Sequence, residues 1–312
     1  MNNKTHIPEI ISKNRSLLMG VAILMVIMYH AFCCNLPMGP VSHILRYGYL
    51  GVDIFIFLSA IGLCYSFEKN SIRRFYTNRI IRILPLFLCL VVFRYVYDCL
   101  FGGCNLSYID FFSMASTLSF WGIGNGVFVD WYLSTIIWLY LIFPIFYSLI
   151  KNIGMVVVIV LSLFCISLLI YTDLRWEYVC AVGRLPIFVA GIYLHQKGFN
   201  SCSVKYIILM FGIMLIMNAL SGRDGSIYWT APFMISALLF IVSRNPYRFA
   251  WLEFIGRYTL ELYVANCITM TLTSLVGSSH LMWGFYIVAN IIIAYCLHLI
   301  NRLVGSVKCK FI

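Results

Sequence analysis

Apolar residues run along this chain in long blocks, and short polar clusters separate them. From Leu17 onward the blocks fall at 17–36, 46–67, 83–101, 131–150, 153–171, 178–195, 204–221, 226–243, 258–277 and 281–300. Many are close to the length of about 20 residues that carries a helix across a bilayer. The pattern predicts an all-α, polytopic transmembrane bundle of about ten helices, in one domain over 1–312. No soluble appendage, repeat or low-complexity run interrupts it. The longest connection is 102–130, and its apolar piece Phe111–Trp121 reads as re-entrant or interfacial. Lys13 and Arg15 precede the first block in the manner of a signal peptide. No small-residue cleavage site follows, however, and the block exceeds a signal core, so it reads as a span that stays.

Composition agrees with this reading. Apolar residues make up 62% of the chain and charged residues 11%, against about 25% charged in soluble domains. The net charge of +11 would suit nucleic acid if it were clustered on a soluble face, but it is not. With the N-terminus in the cytoplasm, 17 of the 22 Lys and Arg fall on cytoplasmic segments. The other five, Arg46, Arg94, Arg175, Arg184 and Arg223, fall outside or within spans. That asymmetry is the positive-inside pattern, and ten spans return the C-terminus to the cytoplasm. The 12 cysteines are scattered, with no CxxC and no Cys/His spacing of a metal site. They read as packed thiols, and no metal is expected.

Ionisable residues inside spans are costly and are the first candidates for chemistry. They are His30, Asp53, Arg94, Asp98, Arg184 and Glu261, with Asp130 at the start of span four. His30 lies about 20 Å along a helix from Leu17. A neutral imidazole there suits a general base toward a hydroxyl, or an acyl carrier. The plainer alternative is a buried histidine bonded to a neighbouring helix. Arg94 and Asp98, four apart, read as a structural pair on one helix face. Arg79 and Arg82, three apart, share a face near the cytoplasmic rim, with Pro85 following. Their planar forks suit a phosphate-rich ligand, though a basic juxtamembrane loop that sets topology is the alternative. Arg184, between Gly183 and Pro186, needs an anionic partner. Asp53 and Asp130 lie at similar depth, so a polar cavity near His30 is expected.

Six stretches stand out in series. They are Val26-Ile-Met-Tyr-His30, Gly51-Val-Asp-Ile-Phe-Ile-Phe-Leu-Ser59 and Arg79-Ile-Ile-Arg82-Ile-Leu-Pro85. Further along come Trp131-Tyr-Leu-Ser134 with Tyr140-Leu-Ile-Phe-Pro144, the run Gly183–Gly191, and Ile255-Gly-Arg-Tyr-Thr-Leu-Glu-Leu-Tyr263. Together they resemble the acyltransferase-3 family of membrane O-acyltransferases. The similarity runs in order from about residue 12 to 300. It implies transfer of an acyl group, usually acetyl from cytoplasmic acetyl-CoA, to a hydroxyl of a surface polysaccharide or lipid-linked glycan. It also implies a bacterial inner-membrane location, with acyl-CoA as co-substrate, no permanently bound cofactor and no nucleic-acid partner. The matched positions give His30 the catalytic role and Arg79 and Arg82 the handling of the donor. Four positions depart from the pattern. Met19 stands where a basic residue is usual eleven positions before the histidine, with Arg15 one turn earlier as a candidate substitute. Ala60 replaces a glycine, Ile136 a glutamate and Asn266 a histidine. The competing reading is a transporter or flippase of a lipid-linked glycan, which would also use intramembrane charge and interrupted helices.

Overall fold

The computed structural model describes residues 7–37, 39–123, 127–198, 231–244, 249–276 and 280–311, with positions 205, 208, 209, 212 and 216. The expected span 204–221 lies outside the described residues apart from those single positions. The remaining nine expected spans each carry a helix, and no strand occurs among the described residues. Apart from one short turn of helix at Ser42–Leu45, the helices are α1 (Ile7–Lys13), α2 (Arg15–Cys33), α3 (Gly51–Lys69), α4 (Ile72–Leu100), α5 (Tyr108–Ala115) and α6 (Trp131–Ile153). They continue with α7 (Met155–Tyr171), α8 (Trp176–Lys197), α9 (Ala231–Arg244), α10 (Ala250–Arg257), α11 (Thr259–Val276) and α12 (His280–Phe311). Six helical segments among the described residues are long and apolar enough to cross a membrane. Exposed Val92, Val96, Leu141, Ile145, Val160, Phe164, Ile291 and Tyr295 are of the kind that faces acyl chains, because lipid removes the cost of leaving them uncovered. The protein is a multi-pass, helical membrane protein.

Helix ends differ from the expected spans for local reasons. α4 begins at Ile72, well before the apolar block at 83, because the Ser71 side chain accepts from the Arg74 amide and caps it. The basic segment is therefore the first turns of a helix rather than a loop. Residues 46–50 form short helical turns ahead of α3 rather than its first turn. The piece 111–121 is no span. α5 opens on a capping box between Ser107 and Asp110 and ends by Thr117, whose φ is +65°. Eight helical residues cover about 12 Å, so this segment does not cross.

The chain divides into two compact units. The first comprises residues 1–22, 49–70 and 136–257. Here α3 packs on α8 and α9, and α8 on α7. Gly51 through Ile61 are all buried, so α3 is the enclosed helix of this unit. Gly191 of α8 lets it close on α3: a Cβ there would lie 2.8 Å from the Ala60 Cβ and 2.9 Å from the Phe57 carbonyl oxygen. Ala60, the departure from glycine, is accommodated because the residue opposite has no side chain. Gly20 and Gly256 similarly bring α2 and α10 into backbone contact, since a Cβ on either would overlap the other helix's carbonyls.

The second unit comprises residues 23–48, 71–135 and 258–312. Its α11 and α12 pack together, and α4 packs on both. The end of α2 is held to α12 by a core of Ala31, Leu36, Met282 and Tyr286, with Ile27 and Trp283 against it. The Trp283 indole N–H donates to the Pro37 carbonyl at 2.9 Å.

Candidate active site

His30 sits on the last full turn of α2, in the second unit, half-buried. Its Nδ1 is hydrogen-bonded to the Oδ1 of Asn266, on α11. The Asn266 Nδ2 donates to the Tyr286 hydroxyl at 2.6 Å and to the Asn290 Oδ1 at 3.3 Å, both on α12. The Tyr286 hydroxyl donates onward to the Ile27 carbonyl at 3.0 Å. Asn290 donates to the Tyr286 carbonyl at 2.8 Å. Three helices thus meet through polar atoms in an otherwise apolar setting, where an unpaired polar group would cost several kcal/mol, about as much as one stranded in hydrocarbon. In the sequence Asn266 stands out only as a departure from a motif histidine, and Tyr286 and Asn290 do not stand out as site residues because they carry no charge. The available signal was two asparagines within apolar blocks.

Asp130 reaches the same stripe of α11. It accepts from the Leu133 amide at 2.7 Å, which makes it the N-cap of α6. The Tyr263 hydroxyl donates to its two oxygens at 3.0 and 3.2 Å, and the Cys267 Sγ lies 3.8 Å from Oδ2. Residues 263, 266 and 267 are spaced three and four apart from Tyr263, so they share one helix face. Asp130 and His30 therefore hold neighbouring positions of α11.

Asp53 and Arg184 meet in the first unit. The Arg184 Nε donates to the Asp53 Oδ1 at 2.7 Å, with side chains 1% and 0% exposed. Arg184 also donates from Nη1 to the Cys180 carbonyl at 3.0 Å. The anionic partner that Arg184 needs is thus Asp53, which joins two of the sequence segments singled out above. Arg94 and Asp98 form the expected pair at 2.9 Å. Glu261 accepts from Asn301 at 3.1 Å, with the His298 Nδ1 at 3.8 Å.

The arginines of the sequence reading are divided between the units. Arg79 and Arg82 lie in the early turns of α4, in the second unit. Arg79 is half-buried over the Phe75 ring at 5.5 Å, whereas Arg82 is exposed. Arg15 belongs to the first unit, and its guanidinium lies against Gly62 of α3, 3.3 Å from where a Cβ would stand. No group of three or more His, Cys, Asp or Glu suited to a metal occurs among the described residues.

A family model described as an acyltransferase domain matches residues 17–299. The chain belongs to the acyltransferase-3 family. No curated protein and no solved structure matches it. As an acyltransferase-3 member, the protein is a membrane acyltransferase. The matched span runs from the start of α2 into α12, and so includes every residue of the His30 network.

Proposed function

We propose that this membrane acyltransferase moves an acetyl group from cytoplasmic acetyl-CoA to a hydroxyl of a surface polysaccharide or of its lipid-linked precursor, in a bacterial inner membrane with both chain termini in the cytoplasm. The observation that carries the reading is the imidazole of His30, held at one ring nitrogen by Asn266 within a family acyltransferase domain. A sugar hydroxyl has a high pKa and needs a base at the moment of attack, and imidazole is suited to that task.

In this mechanism His30 takes the proton from the acceptor hydroxyl as its oxygen attacks the thioester carbonyl. The new C–O bond forms, the C–S bond breaks, and the imidazolium returns the proton to the departing CoA thiolate. Arg79 and Arg82 hold the donor's phosphates. α4, which carries Arg79 and Arg82, packs on α11 and α12, the helices whose side chains anchor His30. On the acceptor side, Asp130 belongs to the polar stripe of α11 beside His30, and Asp53 with Arg184 forms the buried polar pair of the first unit.

Purified protein supplied with radiolabelled acetyl-CoA and a glycan acceptor should transfer label to the glycan. His30→Gln keeps polarity without basicity and should reduce transfer by roughly 10²–10⁴-fold, with acetyl-CoA binding nearly intact. Transfer at a near-parental rate by the Gln variant would make His30 a packing residue and remove the mechanism. Movement of an intact lipid-linked glycan without label transfer would favour the flippase.

A further inference from the structure

Histidine offers two ring nitrogens, and in the neutral ring only one of them is basic. Which one depends on the hydrogen bond that the other makes. Around His30 that choice can be read from a chain of donors and acceptors, starting at atoms whose roles are fixed.

The Ile27 carbonyl only accepts, so the Tyr286 hydroxyl must send its one proton there. Its oxygen is then left to accept, and the group of Asn266 that faces it must be the donating NH₂. A second anchor gives the same answer. The Tyr286 carbonyl only accepts, so Asn290 turns its NH₂ toward it. Its Oδ1 then faces Asn266, again requiring the NH₂ of Asn266 on that side. Flipping the Asn266 amide would set oxygen against the Asn290 oxygen and take the Tyr286 proton away from Ile27. Both anchors therefore turn the Asn266 Oδ1 toward His30, and an amide oxygen can only accept. The Nδ1 of His30 must carry the proton.

We infer that Asn266, anchored by Tyr286 and Asn290, is a positioning residue that keeps His30 in the Nδ1–H tautomer and makes Nε2 the atom that exchanges the proton with the acceptor hydroxyl. The inference rests on the reading of His30 as the general base and goes beyond it by assigning the atom. It also gives a role to the departure at 266. A histidine there could supply the same acceptor only from one of its own tautomers, whereas an asparagine locked from behind has no protonation state to choose. Without this partner, an imidazole ordinarily prefers its proton on Nε2, which would turn the reacting atom from base to donor.

The direct test is a solid-state ¹⁵N spectrum of histidine-labelled protein in liposomes above the imidazole titration range. His30 signals are identified by their loss in His30→Gln. The expected spectrum shows a protonated Nδ1 and a bare Nε2; a bare Nδ1 would overturn the inference, whatever the activity data say. In parallel, Asn266→Ala should lower kcat roughly 10²- to 10⁴-fold, the scale of a lost base or a wrong tautomer. KM for acetyl-CoA should hold. Tyr286→Phe keeps the ring packing and the Asn290 anchor, so its loss should be smaller. A loss equal to that of Asn266→Ala or larger would overturn the order of the relay. Full kcat in Asn266→Ala, beside an inactive His30→Gln, sinks the inference while leaving His30 as the base. An active His30→Gln sinks the underlying reading instead. If Asn266→Ala does not fold, the spectrum of the parent protein decides.

Discussion

Arg184 and Asp53 show what an isolated charge does inside a bundle. Each side chain is almost fully enclosed, and their 2.7 Å contact joins α8 to α3 within the first unit. The second oxygen of Asp53 makes no hydrogen bond to a described residue, so the guanidinium is its main compensation. Such pairs stabilise little against an apolar replacement of both members, yet removing one member strands the other. Arg184→Met should therefore cost about 3–5 kcal/mol and lower the thermal midpoint of the purified protein. Asp53→Leu combined with Arg184→Met should recover much of that loss. A double variant no more stable than the single one would show that the pair does more than neutralise charge. His30 is the contrasting case. Its Nδ1 is bound by an uncharged amide, that of Asn266, and not by a carboxylate.

At the scale of elements, α4 joins two physical regimes in one continuous helix. From Ile72 to about Arg82 it is basic and partly exposed; beyond Pro85 it is mostly apolar, with the Arg94–Asp98 pair near its end. The cap at Ser71 makes the arginine segment helical, and this sets Arg79 and Arg82 on one face at a three-residue spacing. Arg79 leans over Phe75 while Arg82 stays exposed. Arg79→Ala and Arg82→Ala should each weaken acetyl-CoA binding, by about 1.5–3 kcal/mol for each charge-assisted phosphate bond lost, with the protein still folded. Arg79→Lys should recover only part of the affinity, because an ammonium cannot reproduce the guanidinium fork. Isothermal titration with acetyl-CoA measures this directly. Parental affinity in both alanine variants would reduce the pair to a topology signal.

At the scale of the whole molecule, the distribution of Lys and Arg predicts an orientation. It expects both termini in the cytoplasm and the 102–130 connection outside. Cysteines introduced across 69–78 and 102–110 should be labelled by an impermeant reagent from opposite sides of the membrane, and labelling from the same side would refute the orientation. The span pattern was legible in the sequence because hydropathy is a local sum: a helix is apolar enough to cross whatever surrounds it. His30, Arg79 and Arg82 were legible as motif positions for a similar reason, since charge or basicity at a fixed spacing needs no partner to be noticed. What only the tertiary structure decided is who pairs with whom. His30 meets Asn266 across 236 positions, Arg184 meets Asp53 across 131, and Asp130 meets Tyr263 across 133. In a bilayer each buried polar group must find its partner within the protein. That partner is chosen by which helix faces pack together, and hydropathy carries no record of faces. Asn266, Tyr286 and Asn290, uncharged and scattered over two helices, come together only because packing brings them behind one imidazole.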